Sequence, residues 1–371
     1  MEILRYSDFS LNLHQRLLAK RVPINGTIEV TRRCPSNCVH CYNHLLMGDQ
    51  EARHRELTFE EHSRILNTLA EAGCLWLLFT GGEIFARGDF LDIYTYAKNK
   101  GFLITLFSSG VLITPKIADY LAEWRPFSIE ISLYGITKET YERVTRTPGS
   151  YEKCMRGIHL LRKRGLPLTL KTMAITLNKH EIRKMKEFVE EKLGLAFRFD
   201  AVINPCIDCS QSPLAVRLSP EEVVELDLKD PKRVKEWRRF AEKFNGPVHS
   251  PGHFDGLYHC GGGSNSFAID PYGGLEICLL SRNGYNLRKG TFREGGENYI
   301  FKFRQKKITR LTKCVNCEIK AMCGMCPANA DLENGDVEEP VDFLCRVAHL
   351  RAKALGLPIK PHGECQYCRT E

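Results

Sequence analysis

No stretch of this 371-residue chain is both apolar and long enough to span a bilayer. The opening residues, Met1-Glu2-Ile3-Leu4-Arg5-Tyr6-Ser7-Asp8, lack the apolar core of a secretion signal. Neither a membrane protein nor an exported one is expected, and the expected compartment is the cytoplasm, where thiols stay reduced. Aromatic residues are missing from the basic runs Arg162-Lys163-Arg164 and Lys232-Arg233-Val234-Lys235, so neither reads as a nucleic-acid surface. The positive excess is small: 53 basic against 45 acidic side chains leave +8. It suits a solvated surface, or one that attracts an acidic electron donor or an acidic peptide. With 43% hydrophobic and 26% charged residues, the composition is that of a globular chain long enough for two domains.

Cysteine, by contrast, is abundant. The chain has 16, and in a reducing compartment the clustered ones read as metal ligands rather than disulfides. Cys74 and Cys154 stand alone within regular elements and read as buried packing residues. The sharpest cluster is Cys34-Pro-Ser-Asn-Cys38-Val-His-Cys41, directly after the strand-like run Thr27-Ile28-Glu29-Val30-Thr31. On a helix these three thiols would share a face and act as small core groups, but Pro35 and Asn37 favour a loop. Structural zinc usually takes four ligands arranged in CxxC pairs. Three thiolates instead suffice for three irons of a four-iron cluster and leave the fourth iron open to a ligand.

Apolar strand-like runs recur at Thr27–Val30, Trp76–Thr80, Leu103–Phe107, Phe127–Leu133, Leu168–Ala174 and Phe197–Ile203. Helical patterns lie between them, opened by Thr58-Phe59-Glu60-Glu61, a capping box, and by Thr114-Pro115. Strands alternating with helices predict a parallel sheet, whose ligands bind beyond the carboxyl ends of the strands. The second strand ends in Thr80-Gly81-Gly82-Glu83, where glycines permit close backbone approach and the glutamate offers an acceptor.

The cysteine spacing, with the ring of His40 before the last thiol, closely resembles that of the radical S-adenosylmethionine (SAM) enzymes. The resemblance implies an α/β fold with a partial (βα)6 barrel and a SAM-binding 4Fe-4S cluster on Cys34, Cys38 and Cys41. It also implies reductive cleavage of SAM to a 5′-deoxyadenosyl radical that abstracts hydrogen from the substrate. Gly81, Gly82 and Glu83 match the segment that meets the SAM amino group, Ser132 a ribose contact, and Arg143 the arginine that pairs with the SAM carboxylate. An electron donor such as flavodoxin or ferredoxin is the implied partner. On residue type alone, Ser132 reads equally well as a strand hydroxyl and Arg143 as a solvated helix charge.

Beyond Cys260 glycine and cysteine displace long helices. Ser266–Asp270 and Leu275–Leu279 flank Gly273-Gly274, a hairpin signal that draws Cys260 and Cys278 together. Cys314-x2-Cys317-x5-Cys323-x2-Cys326 and then Cys345 follow. These resemble the SPASM domain, which carries two auxiliary four-iron clusters in peptide-modifying enzymes. The implied ligands are Cys314, Cys317, Cys323 and Cys345 for one cluster and Cys260, Cys278 and Cys326 for the other, whose fourth ligand is unassigned. The two residues before Cys326, where the family more often has three, put its role in question. Sulfatase-maturing relatives have an aspartate where Leu279 stands, which disfavours that activity.

Two CxxC pairs are left, Cys206/Cys209 and Cys365/Cys368. They read either as one four-thiolate zinc site tying the tail to the barrel, or as unrelated pairs, one of them supplying the missing cluster ligand. No general base is legible; Asp200 and Asp208 qualify only by their place near the last barrel strand. The expected division is an N-terminal segment 1–24, barrel 25–203, bridge 204–259, SPASM domain 260–350 and tail 351–371. The expected function is maturation of a ribosomally made peptide, with a leader a possible part of the substrate, by thioether, carbon–carbon or epimer formation. The stretch before Cys34 is short for a separate leader-binding domain, which leaves leader recognition to the core or to a partner. The alternatives are a radical enzyme for a small molecule, such as a tetrapyrrole or quinone-cofactor precursor, and a non-catalytic metal scaffold, against which Thr80-Gly81-Gly82-Glu83 argues.

Overall fold

Alternating apolar and polar residues write the sheet of this protein. A computed structural model of the chain describes residues 6–17, 20–245, 256–282, 284–314 and 316–368, so parts of the N-terminal segment and of the bridge lie outside the described residues. By internal contacts the chain divides into two units. The first holds Met1–Met173, Leu177–Asp200 and Cys260–Arg304; the second holds Ala174–Thr176, Ala201–His259 and Gln305–Glu371.

In the first unit, strands β1 (Asn25–Glu29), β2 (Trp76–Thr80), β3 (Leu103–Ser108), β4 (Ser128–Ser132), β5 (Leu168–Met173) and β6 (Ala196–Asp200) lie side by side in that order. Every neighbouring pair is parallel, which is the expected (βα)6 arrangement. The sheet continues past β1 with β7 (Ser266–Ile269), parallel to β1, and then β8 (Gly274–Glu276) and β9 (Tyr285–Asn286), both antiparallel. The glycine hairpin legible in the sequence thus extends the barrel sheet itself.

Ile28, Phe79, Ile104, Leu106, Ile131 and Leu170 are fully buried on one face of the strands. Helices Phe59–Glu71, Phe90–Asn99, Pro115–Glu123 and Ser150–Lys163 bury Leu66, Leu69, Ile93, Leu121, Ile158 and Leu161 with them. The caps lie where the sequence places them: the Thr58/Glu61 box is closed both ways, and Thr114 accepts from the Ile117 amide. Because side chains alternate along a strand, the opposite face is left to a different set of residues.

The second unit is built on helices Pro220–Leu228, Pro231–Phe244 and Asp342–Ala354. Its core gathers Ala241, Cys317, Ile319, Met322, Ala348 and Ala352. A buried ion pair crosses that core. Arg351 donates to Asp227 at 2.7 and 2.9 Å and to the Met322 carbonyl at 2.6 Å, with Trp237 stacked on its guanidinium at 3.9 Å.

Candidate functional site

The loop that follows β1 is fastened at several points. The Thr31 hydroxyl donates to Glu56 at 2.5 Å, and Arg33 grips the same carboxylate at 2.8 and 3.0 Å. Glu56 and Arg33 are both buried, and Arg87 lies 3.8 Å from the second carboxylate oxygen. Arg33–Cys34 pairs in parallel with Leu45–Leu46. Further on, the Asn37 and Val39 amides donate to the carbonyls of Thr145 and Val144, at the end of helix Lys138–Thr145. Glu29, at the end of β1, accepts from Tyr42 at 3.0 Å and Asn43 at 2.5 Å just beyond Cys41. Burial dominates in raising the Glu29 carboxyl above its ordinary value.

Cys34, Cys38 and Cys41 are all free thiols. Burial, with the charge of Glu83 behind it, pushes the Cys34 thiol up to about 12. Burial also drives Cys38 well above its ordinary value, helped by its neighbours Cys41 and Cys34. Three thiolates so placed need a compensating cation, and bound iron supplies one. The donor set therefore fits the cluster that its spacing implies. The His40 ring packs edge-on against Tyr134, centroids 4.8 Å apart.

The Gly-Gly-Glu segment serves this loop directly. The Gly82 amide donates to the Thr31 carbonyl at 2.8 Å and the Glu83 amide to the Arg33 carbonyl at 3.0 Å. A Cβ at Gly82 would come within 2.5 Å of the Arg32 oxygen and 2.6 Å of the Arg33 oxygen. Gly81, at φ +146°, would drive one into the Thr31 carbonyl. These glycines therefore allow two backbones to touch. The fully buried Glu83 side chain turns to the end of β3, accepting from the Ser108 hydroxyl at 2.8 Å, the Ser109 amide at 2.7 Å and the Ser109 hydroxyl. Burial is the largest cause of its raised carboxyl pKa.

The other residues matched to SAM contacts are divided. Ser132 is half-buried at the end of β4, its hydroxyl against Tyr134. Arg143 is exposed on the last turn of helix Lys138–Thr145, the helix that holds the cysteine loop. Register puts Thr27, Leu78, Thr105 and Ser128 side by side on the face opposite the helices, with Glu130 beside Phe107 and Thr169, and Lys171 beside Ser132 and Arg198. Glu130 pairs with Lys171 at 3.3 Å and with Arg198, while the Lys171 ammonium lies 2.7 Å from the Phe107 ring centroid. Burial lowers the Lys171 pKa to about 7, against the pull of Glu130. Asp200 ends β6, and Asp208 caps a local turn by accepting from the Ser210 amide at 2.9 Å.

Cys74 and Cys154 are buried in the first unit; of the clustered cysteines left, Cys260 and Cys278 belong to the first unit and the others to the second. Cys260 is exposed and Cys278 half-buried. In the second unit burial raises the thiol pKa values of Cys317, Cys323 and Cys345; Cys314 adds to the rise at Cys317, Cys314 and Cys317 to that at Cys323, and Cys365 and then Cys323 to that at Cys345. The Cys326 sulfur accepts from the Asn329 amide at 3.3 Å and caps helix Pro327–Asn334. Cys365 and Cys368 meet two histidines, His349 and His362. Cys206 and Cys209 are not drawn into that group. Their turn lies by Ser210 and Ser212, with Gln211 donating to the Leu332 carbonyl at 3.1 Å.

Sequence reasoning passed over Glu56, Glu130, Lys171, Arg198, His349 and His362. A legible signal existed for two of them: a lone charge inside an otherwise apolar parallel strand, as in Ser-Ile-Glu130-Ile-Ser and Leu-Thr-Leu-Lys171-Thr-Met, is unusual.

Residues 28–189 match the model of the radical SAM superfamily, and the chain carries a radical SAM domain. Over 331 residues it is 27% identical to the AdoMet-dependent heme synthase of Methanosarcina barkeri, covering 84% of this chain and 94% of that protein. It is 30% identical over 161 residues to the PqqA peptide cyclase of Bradyrhizobium diazoefficiens, covering 43% and 42% of the two chains. In structure it resembles Streptococcus suis SuiB bound to the precursor peptide SuiA, with TM-score 0.70 and 15% identity over 93% of this chain and 82% of that one. The fold is thus that of radical SAM enzymes, with a cysteine-rich C-terminal region.

Proposed function

We infer that this protein is a radical SAM maturase of a ribosomally made peptide, introducing a thioether, a carbon–carbon crosslink or an epimer. The observation that carries this reading is the wall of the sheet opposite the helices. Its side chains include the hydroxyls of Thr27, Thr80, Thr105, Ser128, Ser132 and Thr169 and the ionisable groups of Glu29, Glu130 and Lys171, among the apolar side chains of Trp76, Leu78, Leu103, Phe107 and Met173. Such a wall offers donors and acceptors to a peptide backbone.

Cys34, Cys38 and Cys41 would hold the SAM-binding cluster, with Gly81, Gly82, Glu83, Ser132 and Arg143 around the SAM. When bound, the two together supply a 5′-deoxyadenosyl radical that takes hydrogen from an unactivated carbon. The chain's own work is to fix the cysteine loop through Glu56, Thr31 and Arg33, and to orient substrate on the Glu130–Lys171 wall. Cys314, Cys317, Cys323 and Cys345 would hold one auxiliary cluster. A cytoplasmic setting with a flavodoxin or ferredoxin as electron donor completes the reading. Among the described residues no helix is long and apolar enough to cross a membrane.

A second reading, a tetrapyrrole substrate, is favoured by the likeness to heme synthases over most of both chains. Co-expression with peptides encoded beside the gene, in an oxygen-poor host, separates the two. Peptides two hydrogens lighter per site, or labelled with deuterium from heavy water, support the maturase. Unchanged peptides, with carboxylate loss from an added coproporphyrin-type substrate, would install the second reading.

A further inference from the structure

One set of side chains in the second unit is drawn together around a single point. His349, His362, Cys365 and Cys368 place one ligand atom each so that all four lie within 4.8 Å of one another. This is the one such group of His, Cys, Asp or Glu side chains among the described residues. His349 Nε2 is 3.2 Å from the Cys368 sulfur and 3.6 Å from the Cys365 sulfur. A tetrahedral ion with bonds of about 2.3 Å to sulfur and about 2.0–2.1 Å to nitrogen needs ligand separations of about 3.3–3.8 Å. A four-iron cluster holds its thiolates wider apart, so this geometry suits a single ion.

The other ring nitrogens are already committed. His349 Nδ1 bonds the Cys345 carbonyl at 2.8 Å and His362 Nδ1 the Lys313 carbonyl at 2.6 Å. With Nδ1 as donor, each ring presents the lone pair of Nε2, the outer-shell arrangement of metal-binding histidines. His362 Nε2 is buried without a hydrogen-bond partner, although the residue is only 4% exposed. An orphaned acceptor there is costly unless a ligand meets it. His349 and Cys365 are also withdrawn from water, 6% and 1% exposed, while Cys368 is half-buried at the edge of the group.

We propose that His349, His362, Cys365 and Cys368 bind one structural zinc ion that clips the C-terminal tail to helix Asp342–Ala354. Two nitrogens and two sulfurs in a tetrahedron select zinc, and a closed four-ligand shell leaves it no catalytic opening. The site replaces the four-thiolate pairing with Cys206 and Cys209. It also keeps Cys365 away from cluster duty, although its sulfur is only 3.8 Å from that of Cys345. Cys345 itself meets His349 on the Nδ1 side, 3.8 Å away, and stays outside the shell.

The test is elemental analysis and zinc-edge X-ray absorption on the full chain, purified without oxygen and without a histidine tag. The expected result is one zinc per chain besides iron, with two sulfurs at about 2.3 Å and two nitrogens at about 2.0–2.1 Å. Cys206→Ser/Cys209→Ser should keep its zinc. His362→Ala should lose it at least tenfold faster to a chelator. His362→Cys, which restores a ligand, should retain zinc in a shell of three sulfurs and one nitrogen. Absence of zinc, a four-sulfur shell in the parent chain, or zinc lost with Cys206 and Cys209 would each overturn the assignment.

Discussion

Replacing Glu56 by glutamine tests how the cysteine loop is held. The Glu56 carboxylate binds Arg33 through two charge-assisted bonds of 2.8 and 3.0 Å, takes the Thr31 hydroxyl, and faces Arg87 at 3.8 Å. The side chains of Arg33 and Glu56 are 7% and 6% exposed, so solvent screens the pair little. An amide keeps one acceptor and turns a donor toward two guanidinium groups. One charge-assisted bond is lost, about 1.5–3 kcal/mol, and buried cations lose their counter-charge, for a total of about 3–5 kcal/mol. A domain is stable by only about 5–15 kcal/mol, so the loss is large. Its first effect should be local, because Arg33 adjoins Cys34. After anaerobic reconstitution, Glu56→Gln should lose most of its SAM-responsive EPR signal and of its 5′-deoxyadenosine formation, and unfold at lower urea. Glu56→Leu with Arg33→Met removes both charges and should recover part of the stability, giving a coupling of about 0.5–3 kcal/mol. A glutamine variant with parental iron, EPR response and urea midpoint would refute the idea that this pair holds the loop.

Gly81→Ala should cost about 1–3 kcal/mol for the clash with Thr31 and about 1–3 more for the glycine-type backbone angle; urea titration with iron analysis checks it, and parental values would count against the backbone contact. Lys171→Met should raise the melting temperature at pH 6 while lowering substrate turnover. The sign follows from a folded-state pKa of about 7 against an ordinary 10.5: the stability linked to Lys171 deprotonation is present above about 10.5 and lost as pH falls through about 7. The advantage of the methionine variant should therefore shrink from pH 7 to pH 10, and an advantage that is constant with pH would refute it. Asp227→Asn leaves Arg351 buried beside Trp237 without its partner and should destabilise the second unit by about 3–5 kcal/mol, read as earlier tryptophan-fluorescence change in urea; an unshifted transition would show the pair to be dispensable.

Much of the barrel was legible because its signals are local. The capping box at Thr58 is closed as written, and the strands after residue 24 fall where apolar runs do. The glycines of the Gly-Gly-Glu segment were legible as a close approach, but not its object: nothing local says that Gly82 meets the carbonyls of Arg32 and Arg33 across the sheet. The tail was half legible. Cys365 and Cys368 stand out as a pair, but a helical histidine such as His349 looks like any other amphipathic position until the chain folds back on it. Residue type alone left the two CxxC motifs open between one four-thiolate site and unrelated pairs, whereas the fold gathers Cys365 and Cys368 with His349 and His362.

Each central strand carries two interleaved messages. Odd and even letters answer to different demands: one set is hidden among helix side chains, while the other, through Thr105, Glu130 and Lys171, lies on the opposite face, where the proposed substrate would rest. Changing letters in the second set leaves the hydrophobic adhesion of the first untouched. A scaffold of this kind can change its substrate vocabulary by substitution at alternate positions, without renegotiating its architecture. For a protein engineer, the accessible handle is therefore a short register of inward letters, editable one strand at a time.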